Sequence, residues 1–436
     1  MASQQFDPPS GTRDFLAPAL RTREHVFATI RAVFERYGFE PLQTPAFERL
    51  ETLTGKYGDE GDKLIFKILR RGEHEATGEA DLALRYDMTV PLARVVAAYG
   101  SQLPAPYKRY AMGPVWRADR PGKGRFREFT QCDIDVVGSA SPLADAEVVC
   151  ALADCLDAVG VRDFRMLVNS RKALTGLLEA YGVPDSLGGG VLTTLDKLDK
   201  LPPDVVAREL VDGRGLPVPI AAALTGDLTA GDAAERMRIA LKDSEQGGAG
   251  LAEIDRLLEL AGPGVGPERI AFTPSLVRGL DYYTGVIFEV VAEGMPGSIA
   301  SGGRYDGLIA ALGGPDAPAC GGSLGVERII GLLDAAALEQ PRLDVALTVL
   351  GDETLPELTR LARDLRAAGL RTEVYLATSR KLAKQLKWAA DRHARHTVIY
   401  GPQDRAAGTA TVRNMDTGDQ AQVPVASLTA HLAATR

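Results

Sequence analysis

Cysteine is scarce in this chain: Cys132, Cys150, Cys155 and Cys320 are the only four among 436 residues. No two have the two-residue spacing of a zinc knuckle and none of the five histidines lies near them in sequence, so they read as reduced, buried thiols and no structural metal is expected. No stretch approaches the roughly 20 uninterrupted apolar residues that cross a bilayer. The first residues, Met1 to Pro9, lack a basic segment followed by an apolar one. The expectation is a cytoplasmic protein with no membrane partner. Internal repeats, low-complexity tracts, a Walker A run and a metal-ligand cluster are also missing. What is present, 45% hydrophobic and 25% charged residues, excludes a disordered or fibrous chain and supports two or three cores at roughly 100–200 residues per domain.

The net charge of −8 argues at first against nucleic acid, because phosphate contacts supply most of that affinity. The distribution says more than the sum. Residues 341–436 carry 14 Lys and Arg against 10 Asp and Glu, a balance of +4, while residues 1–340 carry 36 against 48, a balance of −12. A basic tail behind an acidic body is compatible with RNA binding and equally with a solvated basic face.

Apolar positions at Val26, Phe27, Ile30, Val33, Phe34 and Tyr37 predict a helix over residues 21–37, stopped by Gly38. A short extended segment, Phe39 to Thr44, follows. Strands are expected at Lys63 to Leu69 and Leu82 to Met88, then a helix from Thr89 with Pro91 in its first turn. Tyr107 to Arg117 and Arg127 to Val137 read as two strands joined by a Gly-rich basic loop, and Leu143 to Val159 as a helix. Residues 171–265 have helical spacing with few β-branched runs and read as an inserted helical subdomain. Strands resume at Tyr283 to Val291 and Ser298 to Ala300, and Gly321 to Gly325 reads as a turn opening a helix, Val326 to Ala337. Beyond Pro341, apolar runs (Val345 to Leu350, Thr372 to Tyr375, Thr397 to Tyr400, Ala410 to Val412) alternate with helical stretches (Pro356 to Ala368, Ser379 to His393), which predicts an α/β domain with a mostly parallel sheet.

Period-two alternation sorts the second strand of the basic hairpin into two faces. Thr130, Cys132, Ile134 and Val136 suit a core. Arg127, Phe129, Gln131, Asp133 and Asp135 line something polar, either a nucleotide beside a small zwitterion or the solvated face of an edge hairpin. Arg85, Asp87 and Thr89 share a face at a strand end, where a carboxylate and hydroxyl can hold an ammonium group, although Thr89 can equally be the N-cap of the next helix. Arg278, in Leu-Val-Arg-Gly-Leu-Asp-Tyr-Tyr (276–283), needs an anion, which is either an internal carboxylate such as Asp281 or Asp306 or a ligand carboxylate or phosphate. Gly321 to Gly325 contains Gly-x-Ser-x-Gly, the nucleophile-elbow pattern of serine hydrolases. Against that reading, the histidines downstream (His393, His396, His431) all lie in the tail.

Taken together these segments resemble the class II aminoacyl-tRNA synthetases, and within them the histidyl-tRNA synthetase family. Gly11-Thr12-Arg13-Asp14 and the helix running to Pro45 and Glu48 are similar to the N-terminal signature and first class motif, Gly113 to Gly138 to the second, and Gly321 to Arg328 to the third. Arg278 to Tyr283 and Ser301 to Gly307 are similar to the histidine-specific runs. The resemblance implies an α/β protein with an α+β catalytic core. That core is an antiparallel-sheet synthetase fold in two parts, residues 1–170 and 266–338, interrupted by the helical insertion 171–265 and followed by an α/β anticodon-binding domain at 341–436.

The resemblance also implies the reaction, ATP-dependent ligation of L-histidine to tRNA(His) through a histidyl-adenylate, with Mg²⁺ bound to ATP, and a homodimer built on the first motif. Phe129 and Arg328 would sandwich adenine, Arg117 would hold the α-phosphate, and Arg125 with Arg328 would reach the outer phosphates, Asp119 lying among these ATP-binding residues. Asp87, Thr89 and Gln131 would bind the ammonium group; Asp135 and Tyr283 would read the imidazole, with Tyr282 and Tyr305 beside them. Arg278, catalytic together with Arg117, would bridge the histidine carboxylate and the α-phosphate. Lys381 to Lys387 would contact RNA. Many bacterial members have Glu where Asp87 and Asp135 stand, so each carboxylate here is one methylene shorter. A non-catalytic relative, the regulatory subunit of ATP phosphoribosyltransferase, would bind histidine only as a signal. It typically lacks the tail domain and parts of the motifs present here.

Overall fold

Val26, Ile30, Val33 and Phe34 are buried along one face of the helix Ala17–Arg36. The helix begins earlier than its apolar spacing indicates because Pro18 fits the first turn, and Gly38, at φ 75°, turns the chain out of it. The computed structural model describes residues 6–72, 77–277, 282–333 and 342–435. The chain divides into two units, Met1–Ala337 and Leu338–Arg436.

In the first unit, β1 (Glu40–Pro41) is followed by β2 (Phe47–Arg49), β3 (Lys67–Leu69) and β4 (Ala80–Leu84), which form a small antiparallel sheet with β4 in the middle. Then come β5 (Tyr107–Trp116), β6 (Glu128–Val137), β7 (Phe164–Ser170), β8 (Ile270–Phe272), β9 (Val286–Ala292), β10 (Ala300–Arg304) and β11 (Ala319–Gly325). These seven and β1 make an eight-stranded sheet in the order β1-β5-β6-β11-β10-β9-β7-β8. Its two edge pairings are parallel and the five between them antiparallel. An antiparallel sheet of this kind can bury one face and leave the other open.

Helix Pro142–Val159 packs against Ala17–Arg36 and against Glu245–Val265, and together they cover the face that carries Cys132, Ile134 and Val136. Leu152 and Leu156 of the central helix are fully buried there, each worth roughly 1.5–3 kcal/mol of transfer free energy. The opposite face of β6 and β11 carries the candidate site. Between β7 and β8 the chain runs through six helices, Arg171–Ala180, Asp185–Leu195, Pro203–Arg214, Val218–Thr229, Ala233–Ala240 and Glu245–Val265.

The sequence reading of residues 321–333 fails in this unit. Gly321 to Gly325 is not a turn but the strand β11. Its glycines answer a need for close approach: a Cβ at Gly322 would stand 2.6 Å from Leu152 Cδ1 on the helix side, and one at Gly321 would stand 2.0 Å from Asp135 Oδ1 on the other. Ser323 is therefore a mid-strand residue paired with Asp133 and Ser301, with no strained elbow, and among the described residues no histidine lines the cavity it faces, so the hydrolase reading falls. The following helix is Val326–Ile330, and residues 334–341 of the longer expected helix and its boundary lie outside the described residues.

The second unit has β12 (Leu343–Leu347), β13 (Thr372–Val374), β14 (Ala394–Ile399), β15 (Thr409–Asn414) and β16 (Gln420–Pro424) in the order β13-β12-β14-β15-β16. The first two pairings are parallel and the last two antiparallel, so the sheet is mixed rather than mostly parallel. The unanticipated β16 is an exposed edge strand whose only buried residue is Val423, which leaves little apolar signal to read.

Candidate active site

Because β6 is regular and paired on both sides, Phe129, Gln131, Asp133 and Asp135 point to one face. Gly325, Ser323 and Gly321 stand opposite Gln131, Asp133 and Asp135 on β11, and Ser301 and Gly303 continue the same face on β10. A floor of small residues leaves a cavity of about 950 Å³ above it. Asp87, Thr89, Arg117, Tyr282, Tyr283 and Arg328 line this cavity together with the β6 residues, and Thr193, Lys197 and Lys200 from the inserted helices line it as well.

One end is a nest of buried carboxylates. Asp135, 2% exposed, has Oδ2 2.7 Å from Nη2 of the wholly buried Arg109. That pair is held by charge without the alignment of a directed hydrogen bond, and Arg109 Nη2 donates instead to the Met88 carbonyl at 3.0 Å. The Tyr305 hydroxyl donates to Asp135 Oδ1. Asp87 accepts from the Tyr57 hydroxyl (3.1 Å), the Val90 amide (3.0 Å) and the Tyr282 hydroxyl (3.2 Å). Burial pushes all three carboxyls, Asp87, Asp133 and Asp135, above the usual carboxylate range, Asp133 to about 7, while Arg109 pulls Asp133 and Asp135 back down. Three buried carboxylates with one wholly buried guanidinium make this end electronegative, fit for a small cation. Tyr283 adds a phenol whose ring stands directly over Gly303, where a Cβ would approach it to 3.0 Å.

The other end is basic and aromatic. Phe129 is half-buried against Met88, Ala111 and Val115, and the Arg117 guanidinium stands over both its ring (5.1 Å) and that of Tyr86 (4.3 Å). Arg328 Nε donates to the Gly124 carbonyl at 3.2 Å and Nη1 to the Ser298 carbonyl, and Arg125 is ion-paired to Asp119 at 2.7 Å. Glu327 fixes this corner: one oxygen accepts from the Thr130 amide (2.9 Å), and the other pairs with Arg23 (2.9 Å) and Arg13 (3.8 Å) from the N-terminal segment.

A family model described as histidyl-tRNA synthetase matches residues 11–329, and one described as anticodon binding domain matches residues 344–435. The chain belongs to the histidyl-tRNA synthetase family. It is 42% identical to the histidine–tRNA ligase of Gloeobacter violaceus, covering 96% of either chain, and 37% identical to that of Cytophaga hutchinsonii, covering 95% and 96%. A crystal structure of the histidyl-tRNA synthetase from a Nostoc species matches at TM-score 0.78 with 31% identity over 99% of both chains. A Bacillus halodurans structure titled as an ATP phosphoribosyltransferase regulatory subunit/histidyl-tRNA synthetase shares the fold at TM-score 0.73, and its 23% identity carries no more than that.

For a member of this family, the structure gathers most of the sequence-derived site into one cavity: Asp87, Thr89, Arg117, Asp119, Arg125, Phe129, Gln131, Asp135, Tyr282, Tyr283, Tyr305 and Arg328 all line it. Arg278 and Asp281 lie outside the described residues. Asp306, one internal partner considered for Arg278, is 3.1 Å from Arg304. Arg127 leaves the polar file: it precedes β6 and donates to the carbonyls of Asp119 (3.0 Å) and Ser10 (3.4 Å). Thr89 is not an N-cap but the first helical residue, and Asp87 does the capping through the Val90 amide. Arg109 and Tyr57 carry no signal in the sequence reading, and Ser323 belongs to the cavity face and not to a nucleophile elbow. Arg109 lies opposite Asp135 across the hairpin, so counting register across the two strands would have found it. In the second unit Lys381, Lys384 and Lys387 are exposed at the start of and along helix Leu382–Asp391.

Proposed function

We propose that the electronegative end of the cavity binds L-histidine and the basic, aromatic end binds ATP, so that the chain joins histidine to tRNA(His) through histidyl-adenylate. The observation that carries this reading is Asp135, paired with Arg109 and oriented by Tyr305, beside the phenol of Tyr283. An imidazole offers one N–H donor and one acceptor nitrogen. A fixed carboxylate and a fixed phenol answer both, which rejects side chains lacking either group far better than an apolar slot rejects a methylene.

Asp87, Thr89 and Gln131 take the ammonium group; Tyr282 relays between Thr89 and Asp87, since its hydroxyl is hydrogen-bonded to both. Phe129 and Arg328 hold the adenine between them. Arg117, already stacked over Phe129, neutralises the α-phosphate, while Arg125 and Arg328 reach the outer phosphates and Asp119 steers Arg125. Arg278 bridges the histidine carboxylate and the α-phosphate. Mg²⁺ enters with ATP as part of the substrate. The carboxylate attacks the α-phosphorus in line, pyrophosphate leaves, and the terminal ribose hydroxyl of tRNA then attacks the adenylate carbonyl and releases AMP. No protein nucleophile takes part: positioning and charge neutralisation supply the rate.

The helices between β7 and β8 act as an inserted unit over the cavity, residues 341–436 read the anticodon, and the working form is a cytoplasmic homodimer. Histidine-dependent exchange of pyrophosphate into ATP tests the core of this reading. Exchange is expected with histidine, ATP and Mg²⁺, and Arg278→Ala is expected to depress it by orders of magnitude. Its absence in the unaltered protein overturns the assignment.

A further inference from the structure

Asp133 has no part in the roles above, yet it lies on the cavity face between Gln131 and Asp135 and is 2% exposed. Its Oδ1 is buried and has no partner among the described residues, and the same is true of Gln131 Oε1. Ser323, opposite Asp133 on β11, ties the two side chains together: it accepts from Gln131 Nε2 at 2.6 Å and hydrogen-bonds the Asp133 carboxylate. A hydroxyl has one proton to give. Given to Asp133, it leaves the oxygen to accept from Gln131, which fixes the amide with Nε2 on Ser323 and leaves Oε1 buried without a partner among the described residues. Two open acceptors therefore stand two residues apart on one strand face, with Asp87 near enough for its charge to act on Asp133. Among the described residues neither Arg109 Nε nor Nη1 has a hydrogen-bond partner, so that guanidinium acts on Asp133 through its charge and leaves its oxygens free to accept. An ammonium group, with three donors and a positive charge, satisfies such a set, whereas a neutral or anionic group leaves buried acceptors unpaired.

We propose that Asp133 is a further binding residue for the α-ammonium group of the amino-acid substrate, and that Ser323 is a positioning residue that presents Gln131 Oε1 and Asp133 Oδ1 to it together. This rests on the reading that Asp87, Thr89 and Gln131 form the ammonium seat. A charged hydrogen bond lost from such a site weakens binding about 10- to 150-fold.

The test compares the full-length protein with Asp133→Asn, Ser323→Ala and Asp87→Asn. It measures histidine and ATP KM in pyrophosphate exchange and the binding of imidazolepropionate, which is histidine without its amino group. The expected result for Asp133→Asn is a histidine KM raised at least about tenfold, an ATP KM within about twofold, and imidazolepropionate binding unchanged or tighter. Ser323→Ala shifts histidine the same way by a smaller factor and stands in for Asp133→Asn if that variant does not fold. Equal weakening of histidine and imidazolepropionate overturns the proposal, because Asp133 then only supports Arg109 and Asp135. So does a histidine KM changed less than about threefold. If Asp87→Asn is also silent, the seat itself is misplaced; if Asp87→Asn weakens histidine while Asp133→Asn does not, only this inference falls.

Discussion

Replacing Arg109 by Met is the sharpest perturbation of the histidine end. The guanidinium is wholly buried beneath the cavity, and its ion pair with Asp135 has 0% and 2% of the two side chains exposed. Removing one member of such a pair leaves an uncompensated charge, at a cost of about 3–5 kcal/mol. The first unit, Met1–Ala337, unfolds with about 0.7 kcal/mol/K of entropy at roughly 2 cal/mol/K per residue, so the midpoint should fall by about 4–7 °C. The Asp135 carboxyl is already raised by burial and held down chiefly by Arg109. Without that cation the carboxyl is pushed further up by burial, which favours its protonated form and weakens it as an acceptor for the imidazole. In pyrophosphate exchange kcat/KM for histidine should drop about 10- to 150-fold, with KM for ATP nearly unchanged. Adding Asp135→Asn to Arg109→Met should recover about 1–3 kcal/mol of stability but not histidine use. A single Arg109→Met variant that loses under about 1 kcal/mol and keeps its histidine KM refutes the idea that Arg109 supports Asp135.

Phe129→Ala should raise KM for ATP about 5- to 100-fold, the worth of one stacked base, and leave KM for histidine nearly unchanged. In the ligand-free protein Asp133 sits at about 7, above its ordinary value, because burial outweighs the pull of Arg109, while Asp135 and Asp87 push it further up and Ser323 lowers it. Its contribution to stability is therefore full below the usual carboxylate value near 4 and lost as pH rises through about 7. Melting curves between pH 5 and 8 should show the unaltered protein losing ground against Asp133→Asn as pH rises, and a constant difference would contradict the assignment. Replacing Lys381, Lys384 and Lys387 together by Ala should raise KM for tRNA and flatten its salt dependence, with adenylate formation unaffected; equal losses in both steps would argue against an RNA-binding face there.

What the sequence made legible was whatever a local period could express. Alternation along Thr130 to Asp135 separates core from cavity face, and the apolar spacing of Val26, Ile30 and Val33 marks a covering helix. What it hid depended on contacts distant in the chain. Arg109 and Asp135 are 26 residues apart and meet only because β5 and β6 pair in that register. Ser323 looked like an elbow because glycines mark turns, whereas here Gly321 and Gly322 mark two faces of a strand pressed by Asp135 and by Leu152. Arg127 was assigned to the polar file by counting in twos, and it fell outside because β6 begins one residue later, at Glu128. The roof residues Thr193, Lys197 and Lys200 come from a region whose sequence shows only generic helical character, and nothing local says that they line the cavity.

The missing side chain at Gly321 also limits how this pocket can be redesigned. The space a Cβ would take there is already filled by the carboxylate of residue 135, at 2.0 Å. No residue with a side chain can replace Gly321 while Asp135 keeps its place, and the longer Glu that many bacterial members have at position 135 must carry its carboxylate elsewhere. Positions 135 and 321 are thus one unit of specificity. A search for variants that accept another amino acid should randomise them together, since any side chain at 321 requires the carboxylate of residue 135 to move.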